Sequence, residues 1–305
     1  MILRKILVVG KRGQLARKLV EAGDRLRLPV VSIGRPNLDV ANYDAIAKTM
    51  DALEPSVVIN AAAFTNVDLA ETERELARTI NHVGPAMLAQ SCRRRQVPLI
   101  HISTDYVFDG TKRGPYSEED RANPLNYYGV TKYEGEQEAL ATHKRALIVR
   151  TSRVFSEYGG NFLGRVMERV CAGTDLSIVA DEFGCPTYAG DLAEALIRLA
   201  SQVTYGWNTS YNAIFHAAGA SSCSWYDFAD RVLQEIQPDQ RQRIKVRPIS
   251  AREWKAAARR PVDSRLDCGH LKEVFKLELP RWEASIATVV PKAFRRAIET
   301  IGDQE

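Results

Sequence analysis

Short apolar runs alternate with helical segments through the first half of the chain, and this alternation is the pattern that most constrains the fold. Strands are predicted at residues 5–9, 30–33, 57–60, 99–103 and 146–150. Helices are predicted at 14–22, 42–53 and 77–95, with a further one around Tyr128. Because short buried strands joined by helices pair in parallel, with helices on both faces, the sequence predicts a doubly wound α/β fold.

Beyond residue 152 the periodicity weakens. A helix is predicted at 191–200 and a further sheet strand at 211–217. We therefore predict a dinucleotide-binding domain of residues 1–152 plus about 191–218. A smaller, discontinuous substrate-binding domain would comprise about 153–190 and 219–305. A chain of 305 residues with 45% hydrophobic content is long enough for such cores.

A glycine-containing turn follows the first predicted strand and opens a helix. It has the pattern Gly-x-x-Gly-x-x-Ala, with glycines at Gly10 and Gly13. Glycine lets the backbone approach a pyrophosphate, and a helix N-terminus supplies free N–H groups and a positive dipole. The position of the turn predicts a Rossmann-type dinucleotide site that also includes Arg12, Gln14 and Leu15.

The second strand ends without an acidic residue. Arg35 stands there, and a guanidinium group suits the 2′-phosphate of NADP better than the ribose of NAD. NADP(H) is therefore the preferred cofactor and NAD(H) the alternative, unless Arg35 merely occupies a surface loop. Further predicted contacts to the cofactor are Asp39, Val40, Ala62, Ala63, Phe64 and Thr65. Tight helix packing explains the alanines equally well.

Tyr128 and Lys132 form the only Tyr-x-x-x-Lys in a chain with eleven tyrosines. Residues four apart share one face of a helix, so the Lys132 ammonium is expected beside the Tyr128 phenol. A positive charge there would lower the phenol pKa toward working pH. The ordinary alternative is a solvated helix face. Thr104, at the end of the preceding strand, favours the catalytic interpretation.

Composition excludes several other classes of protein. The net charge of +4 does not call for nucleic acid, and no apolar run approaches 18 residues, so neither a nucleic-acid partner nor a membrane segment is predicted. Five cysteines without C-x-x-C spacing argue against a disulfide framework and a zinc site. The five histidines also lack metal-ligand spacing. We predict a cytoplasmic protein without a metal.

These motifs, with others along the chain, resemble the extended short-chain dehydrogenase/reductases and, more closely, the dTDP-4-dehydrorhamnose reductase family. The most specific segment is Ser103-Thr-Asp-Tyr-Val-Phe-Asp-Gly110, followed by Tyr128 to Lys132. Similarity extends in order over nearly the whole chain, through Asn60 to Asp68, Arg150-Thr-Ser152 and Arg260-Pro261.

The resemblance implies reduction of the C4 ketone of dTDP-4-dehydro-L-rhamnose to dTDP-L-rhamnose. It implies Tyr128 as proton donor, Thr104 bound to the same oxygen, and Lys132 tuning Tyr128 and holding the nicotinamide ribose. Arg260 would pair with the substrate diphosphate. The full set of implied substrate contacts is Val67, Thr104, Asp105, Tyr106, Tyr128, Arg153, Glu182 and Arg260.

Three departures from the family pattern affect what can be carried over. Arg153 stands where the family usually has a tryptophan that packs on the hexose, and Glu182 stands where it has glutamine. These charges would pair with each other or suit a different sugar substituent. Some relatives bind magnesium at a dimer interface through an acid in the first helix. Lys18 lies there, so that metal and that dimer are not predicted, and a homodimer is left open.

Alternative functions also fit the fold. One is a reductase of another dTDP-4-keto-6-deoxy sugar. A second is an epimerase or dehydratase that retains NAD, although Asp105 alone does not supply a dehydratase's usual acidic pair. A third is a non-catalytic nucleotide-binding regulatory subunit, similar to the β subunit of methionine adenosyltransferase. A binding protein has no need of Thr104, Tyr128 and Lys132, which favours an enzyme.

Overall fold

The computed structural model describes residues 5–237 and 244–302. Its strands are β1 (Ile6–Val9), β2 (Val30–Ile33), β3 (Val57–Asn60), β4 (Leu99–Thr104), β5 (Ala146–Thr151), β6 (Val154–Phe155), β7 (Leu176–Val179), β8 (Phe183–Gly184), β9 (Thr187–Tyr188), β10 (Ile214–His216), β11 (Cys223–Ser224) and β12 (Val246–Ile249). Six of them form a parallel sheet in the order β10-β5-β4-β3-β1-β2. The predicted doubly wound parallel sheet is confirmed.

The α-helices of the described residues are α1 (Gln14–Leu26), α2 (Tyr43–Leu53), α3 (Arg74–Arg78), α4 (Gly84–Arg95), α5 (Tyr127–Thr142), α6 (Phe162–Cys171), α7 (Ala189–Tyr205), α8 (Trp225–Leu233), α9 (Ala251–Trp254), α10 (Gly269–Phe275) and α11 (Glu283–Gly302). The segment predicted as one helix at 77–95 is interrupted by a π-helical turn, Thr79–Val83, between α3 and α4. Such turns often lie at functional sites.

Alternate residues of each sheet strand face opposite sides, which explains the uninterrupted apolar runs. Ile6 and Val8 pack with α1 and α7, whereas Leu7 and Val9 pack with α2 and α4. A strand covered by helices on both faces has no solvent side, so every position is apolar. The weak pattern at 211–217 also forms a strand, β10, which pairs with β5 at the edge of the sheet.

A second hydrophobic cluster forms from later parts of the chain. Helices α6, α8 and α11 meet around Phe228, Trp282 and Ile286. Short strands β7 and β8 lie within residues 175–186, which the sequence had indicated as loop-rich. Leu271 and Phe275 of α10, by contrast, pack in the cluster of the central sheet. The predicted domain limits stay a prediction, and their ends at 1–4 and 303–305 lie outside the described residues.

Two glycines of α5 allow this helix to lie against neighbouring backbone. A Cβ built on Gly129 would come within 2.2 Å of the Tyr106 oxygen, and one on Gly135 within 2.1 Å of the Asn81 oxygen. Both distances are far below van der Waals contact. The glycines therefore fix the position of α5, and with it the position of Tyr128. Among the described residues, no helix combines the length and apolarity that crossing a membrane requires.

Candidate active site

The carboxyl ends of the parallel strands meet at one edge of the sheet, and the predicted site residues lie there. Gly10 follows β1, Asn60 ends β3 and Thr104 ends β4. Strand β1 is followed in space by β2 on one side and by β3 on the other, so the order of connection reverses beside it. A crevice at such a reversal is where open α/β sheets bind their ligands.

The turn after β1 has the shape of a dinucleotide-binding turn. Gly10 has φ of +127°, a conformation that side chains rarely adopt, and a Cβ there would lie 3.2 Å from the Ala61 carbonyl carbon. Gly13 caps α1 without a side-chain hydrogen bond, and a Cβ at Gly13 would have nothing within 4 Å. The space beside Gly13 at the start of α1 is thus open, and a helix N-terminus suits a pyrophosphate.

The other predicted cofactor residues divide into two groups. Arg12 and Arg35 are exposed at the ends of the β1 and β2 turns, free to meet an anion. Gln14 turns away and donates from Nε2 to the Val154 oxygen at 3.0 Å. Leu15 is buried in the core beneath the sheet, so only its backbone faces the turn.

Asp39 and Val40 lie in the loop after β2, and both side chains make contacts within the protein. The Asp39 carboxylate accepts from the Ala41 N–H at 3.0 Å. Val40 is buried and packs against Gly84, where a Cβ would come within 2.9 Å of the Val40 side chain. Both side chains are thus engaged within the protein. A contact of either residue to adenine would be made through its backbone or its exposed surface.

The loop after β3 is held in place by two buried amides. Asn60 Oδ1 accepts from the Ala62 N–H at 3.1 Å. Asn81, from the π-helical turn, makes paired hydrogen bonds with the backbone of Phe64, at 2.8 and 3.0 Å. This loop, which also carries Ala63 and Thr65, therefore has a fixed path along the crevice.

Thr104 and Tyr128 lie side by side at the end of β4. Both are buried; burial raises the Tyr128 pKa, and the nearby Thr104 hydroxyl opposes part of that increase. Thr104 Oγ1 also accepts from the Tyr106 N–H at 3.2 Å and lies 3.2 Å from Asp105 Oδ1. Asn126 caps α5 by accepting from the Gly129 N–H at 2.8 Å, which begins the helix just before Tyr128.

The expected lowering of the Tyr128 pKa by Lys132 does not occur in this structure. Burial raises the Tyr128 pKa well above its usual value, and the nearby Asp105 charge adds to the increase. Lys132 Nζ instead donates to the Ile102 oxygen at 2.6 Å and lies 3.4 Å from His101 Nε2. Burial lowers the Lys132 pKa to about 8. The expectation missed desolvation, which the sequence does not reveal.

Asp105 is engaged by the protein itself. Its carboxylate accepts from Ser152 Oγ at 2.8 Å and from Ser264 Oγ at 2.6 Å, and it is 2% exposed. Burial raises its pKa, and the hydroxyl groups offset part of the increase. Asp105 thus joins the end of β4 to the end of β5 and to the segment near residue 264. It is better placed to shape the pocket than to contact a sugar.

Arg153 and Glu182 lie close together but form no ion pair within 4 Å. The Arg153 guanidinium stacks on the Trp225 ring at 4.2 Å and donates to the Cys223 oxygen at 3.0 Å. Its backbone has φ of +45°, and its side chain occupies the space that a Cβ at Gly184 would need. Burial raises the Glu182 pKa, whereas the charges of Arg153 and Arg260 lower it.

Arg260 also comes to this side of the crevice. It forms a bidentate ion pair with Asp68, at 2.7 and 3.1 Å, and its charge acts on both Tyr106 and Glu182. Tyr106 packs edge-on against Tyr128, with ring centroids 6.1 Å apart. Val67 packs in the same small cluster. The structure therefore brings Val67, Tyr106, Tyr128, Glu182 and Arg260 to one region.

The sequence interpretation gave no role to four residues that position this region, namely Asn81, His101, Ser152 and Ser264. Only His101 carried a local signal, as a single polar residue in the apolar run 99–102, since a buried polar group needs a partner. Their partners could not be identified from spacing, because each hydrogen bond joins distant segments.

Among the described residues, no group of three His, Cys, Asp or Glu could hold a metal ion. Lys18 pairs with Glu157 at 2.7 Å and Glu21 at 2.8 Å.

Two comparisons with known proteins identify the same family. A family model described as the RmlD substrate binding domain matches residues 4–294. A dTDP-4-dehydrorhamnose reductase of Sinorhizobium fredii is 38% identical over 286 residues, which cover 94% of this chain and 96% of that protein.

The chain belongs to the dTDP-4-dehydrorhamnose reductase (RmlD) family.

A solved member of the RmlD family has a similar structure. The dTDP-4-dehydrorhamnose reductase of Bacillus anthracis, determined in complex with NADP, is 31% identical with a TM-score of 0.86. The match covers 95% of this chain and 100% of that one. Another relative, the dTDP-4-keto-6-deoxy-D-glucose reductase of Streptomyces niveus, is 32% identical over 93% of this chain and 96% of that protein. Relatives of this chain thus carry the names of reductases of more than one sugar.

Proposed function

We propose that this protein reduces the C4 ketone of dTDP-4-dehydro-L-rhamnose to dTDP-L-rhamnose with NADPH. The observation that carries the proposal is that Thr104 and Tyr128 are buried close together at the end of β4, at the same end of the parallel sheet as the Gly10 turn after β1. Membership of the RmlD family and the NADP complex of the Bacillus anthracis relative support the same reaction.

The cofactor site fits a dinucleotide phosphate. We assign the pyrophosphate to the Gly10–Gly13 turn and the first amides of α1, and the 2′-phosphate to Arg35, with Arg12 nearby. When bound, NADPH supplies the hydride that reduces the C4 carbon. The loop from Ala62 to Thr65, fixed by Asn81, forms one wall of the crevice.

Tyr128 is the proposed proton donor. Because burial raises its pKa, the phenol keeps its proton through neutral pH and can deliver it to the C4 oxygen. Thr104 would hydrogen-bond the same oxygen as negative charge develops there. Donors aimed at a developing oxyanion typically stabilise the transition state by about 3–4 kcal/mol each. Lys132 would hold the nicotinamide ribose.

The substrate would lie against Tyr106 and Val67, with its diphosphate near Arg260. The Arg260 guanidinium is oriented by Asp68 and has donors beyond those that the carboxylate uses. Arg153 and Glu182 would then border the sugar. Asp105 would act through Thr104, Ser152 and Ser264 rather than by direct contact.

The test is NADPH oxidation by the purified protein with dTDP-4-dehydro-L-rhamnose, followed by the loss of nicotinamide absorbance. We expect turnover, and dTDP-L-rhamnose as product by mass spectrometry. Failure to oxidise NADPH with any dTDP-4-keto sugar would remove the reductase proposal. It would favour the non-catalytic nucleotide-binding subunit, and tight NADPH binding without turnover would identify that case.

A second candidate is reduction of a different dTDP-4-keto-6-deoxy sugar. Arg153 favours it, because a guanidinium stacked on Trp225 stands where the family usually has an aromatic wall. The name of the Streptomyces niveus relative supports this breadth of sugars. Comparing kcat/KM for several dTDP-4-keto sugars in the wild type and in Arg153→Trp distinguishes the two. The two-domain division, the cytoplasmic location, the absence of nucleic-acid and membrane partners and a homodimer stay predictions.

A further inference from the structure

His101 lies in the middle of β4, fully buried between a residue of β3 and a residue of α5. Its Nδ1 is 3.0 Å from Asn60 Nδ2, and its Nε2 is 3.4 Å from Lys132 Nζ. The reaction proposed above uses Lys132 but assigns no role to His101. His101 thus lies between the side-chain amide of Asn60 and the amine of Lys132. A histidine in this position can influence whether the lysine is protonated.

The orientation of Asn60 is set by the backbone. Its Oδ1 accepts from the Ala62 N–H at 3.1 Å, so its NH2 group faces His101. An NH2 group only donates hydrogen bonds. His101 Nδ1 must therefore accept, and in a neutral imidazole the proton then lies on Nε2.

The Nε2–H of His101 points toward Lys132. Burial and the nearby Lys132 lower the His101 pKa far below its usual value, so the ring is neutral. A lysine ammonium group has three donors and no acceptor, whereas a neutral amine has a lone pair. Lys132 already donates to the Ile102 oxygen at 2.6 Å. Only the neutral amine satisfies both the Ile102 carbonyl and the His101 N–H.

We propose that Asn60 and His101 form a positioning pair that fixes the His101 tautomer and thereby favours the neutral amine of Lys132 in the free protein. Only the kinetic consequence of this proposal rests on the function proposed above. The consequence is that Lys132 loses its proton at a lower pH than an ordinary lysine, as the pH rises through about 8. The activity should therefore depend on pH in that range.

Other groups of α5 and β4 lie near Lys132. Glu136, one turn further along α5, favours the ammonium form, but its carboxylate is bound by Arg150 at 2.7 and 2.9 Å. From β4, the Ile102 carbonyl accepts a hydrogen bond in either form of Lys132. Tyr128 is on the same helix and is protonated. Burial lowers the Lys132 pKa to about 8, which acts in the same direction as the His101 proton.

The first test determines the tautomer in the protein without cofactor. Long-range ¹H–¹⁵N spectra of ¹⁵N-histidine-labelled protein distinguish a protonated ring nitrogen from an unprotonated one. His143 Nε2 faces the Val97 oxygen and His216 Nδ1 faces the Tyr116 oxygen, so these rings give internal references for both tautomers. The His101 signals are identified by their loss in His101→Gln. We expect the His101 proton on Nε2, and a proton on Nδ1 at neutral pH overturns the proposal.

The second test measures Lys132 directly. In ¹³Cε-lysine-labelled protein, one signal should titrate near pH 8, where other lysines stay charged, and it should disappear in Lys132→Met. In Asn60→Asp the new carboxylate accepts from Nδ1–H, so Nε2 becomes an acceptor for the ammonium group. The inflection should then move up by one unit or more. His101→Gln, whose amide oxygen can face Lys132, should shift it the same way.

Asn66→Asp is the control, because it adds the same charge in the exposed loop after β3, where the Asn66 side chain accepts from the Leu69 N–H. Its Lys132 inflection should stay where it is in the wild type. An unchanged inflection in both folded variants, Asn60→Asp and His101→Gln, would mean that burial alone sets the pKa. If neither variant folds, the wild-type tautomer decides. In the active variants, the pKa seen in the pH profile of kcat/KM should shift together with the NMR inflection of Lys132. An inactive wild-type enzyme would count against the proposed function, and the NMR result would still test this proposal.

Discussion

Asp68 holds the guanidinium group of Arg260 in a bidentate ion pair, with oxygen–nitrogen distances of 2.7 and 3.1 Å. The pair joins the loop after β3 to a segment 192 positions further along the chain. Asp68 also accepts from the Ala258 N–H at 2.9 Å. The carboxylate therefore orients both the Arg260 side chain and the backbone at Ala258.

The first prediction concerns this arginine. Arg260→Ala should raise KM for the dTDP-sugar about 10- to 100-fold, since hydrogen bonds to charged groups contribute about 1.5–3 kcal/mol. NADPH affinity should change little. The exposed neighbour Arg259 provides the control, because Arg259→Ala removes the same charge without the ion pair. Equal effects of the two substitutions would show that only the overall charge matters.

The second prediction concerns the proposed acid. Tyr128→Phe should lower kcat by about 10²- to 10⁴-fold, the usual contribution of general acid catalysis. NADPH binding, measured by fluorescence, should be preserved. Tyr127→Phe is the matched control, because it removes the same hydroxyl group from the adjacent ring, which stacks beneath Arg74. Undiminished turnover in Tyr128→Phe would rule out Tyr128 as the proton donor.

The third prediction concerns cofactor choice. Arg35→Ala should reduce the preference for NADPH over NADH about tenfold or more, because a guanidinium group contributes only with the 2′-phosphate present. The ratio of kcat/KM values for the two cofactors measures this preference. Arg94→Ala removes an exposed arginine near the opposite edge of the sheet, at the end of α4. An unchanged ratio in Arg35→Ala would place Arg35 outside the cofactor site.

The fourth prediction concerns stability and pH. The folded-state pKa of Lys132 is about 8, below its ordinary value of 10.5, so the unfolded chain binds more protons between these values. The Lys132 contribution to stability therefore rises with pH across this window. The difference corresponds to about 3 kcal/mol as an upper limit.

Lys132→Met tests this contribution, because methionine is similar in shape and cannot be charged. The gain in stability from the substitution, measured by chemical unfolding, should be larger at pH 7 than at pH 10.5. The lost hydrogen bond to Ile102 is common to both pH values and cancels. A gain that is the same at both would contradict the depressed pKa.

The fifth prediction concerns the position of α5. Gly135→Ala should destabilise the protein by about 1–3 kcal/mol or more, since its Cβ would come within 2.1 Å of the Asn81 oxygen. Gly206→Ala is the control, because a Cβ at Gly206 has nothing within 4 Å. Thermal unfolding compares the two. Similar melting temperatures would show that α5 moves away without loss.

Much of the fold could be predicted from local pattern alone. The strand at residues 30–33 and the helix over Tyr43–Leu53, capped by Asn42, were predicted within a residue of their observed bounds. Both are short elements with strong apolar periodicity and clear end signals. The interrupted helix near Asn81 was not predicted, because a π-helical turn depends on what the turn packs against rather than on its own residues.

The pKa of Tyr128 could not be predicted from the sequence. The four-residue spacing correctly places Lys132 on the helix of Tyr128, but spacing does not give the direction of the ammonium group. Burial against Ile102 and His101 decided that direction. Desolvation then outweighed the charge interaction that the motif alone suggests.

By itself, the sequence determined the parallel sheet, the glycine turn after β1 and the order of Thr104, Tyr128 and Lys132, because each depends on residues close together in the chain. Only the tertiary structure decided the partners of Asp105, Lys132 and Arg260. Each of these groups is buried or bridged by residues from distant segments, such as Ser264 or Asp68. A charged group takes its protonation state and direction from what surrounds it in space, and that surrounding exists only after the chain has folded.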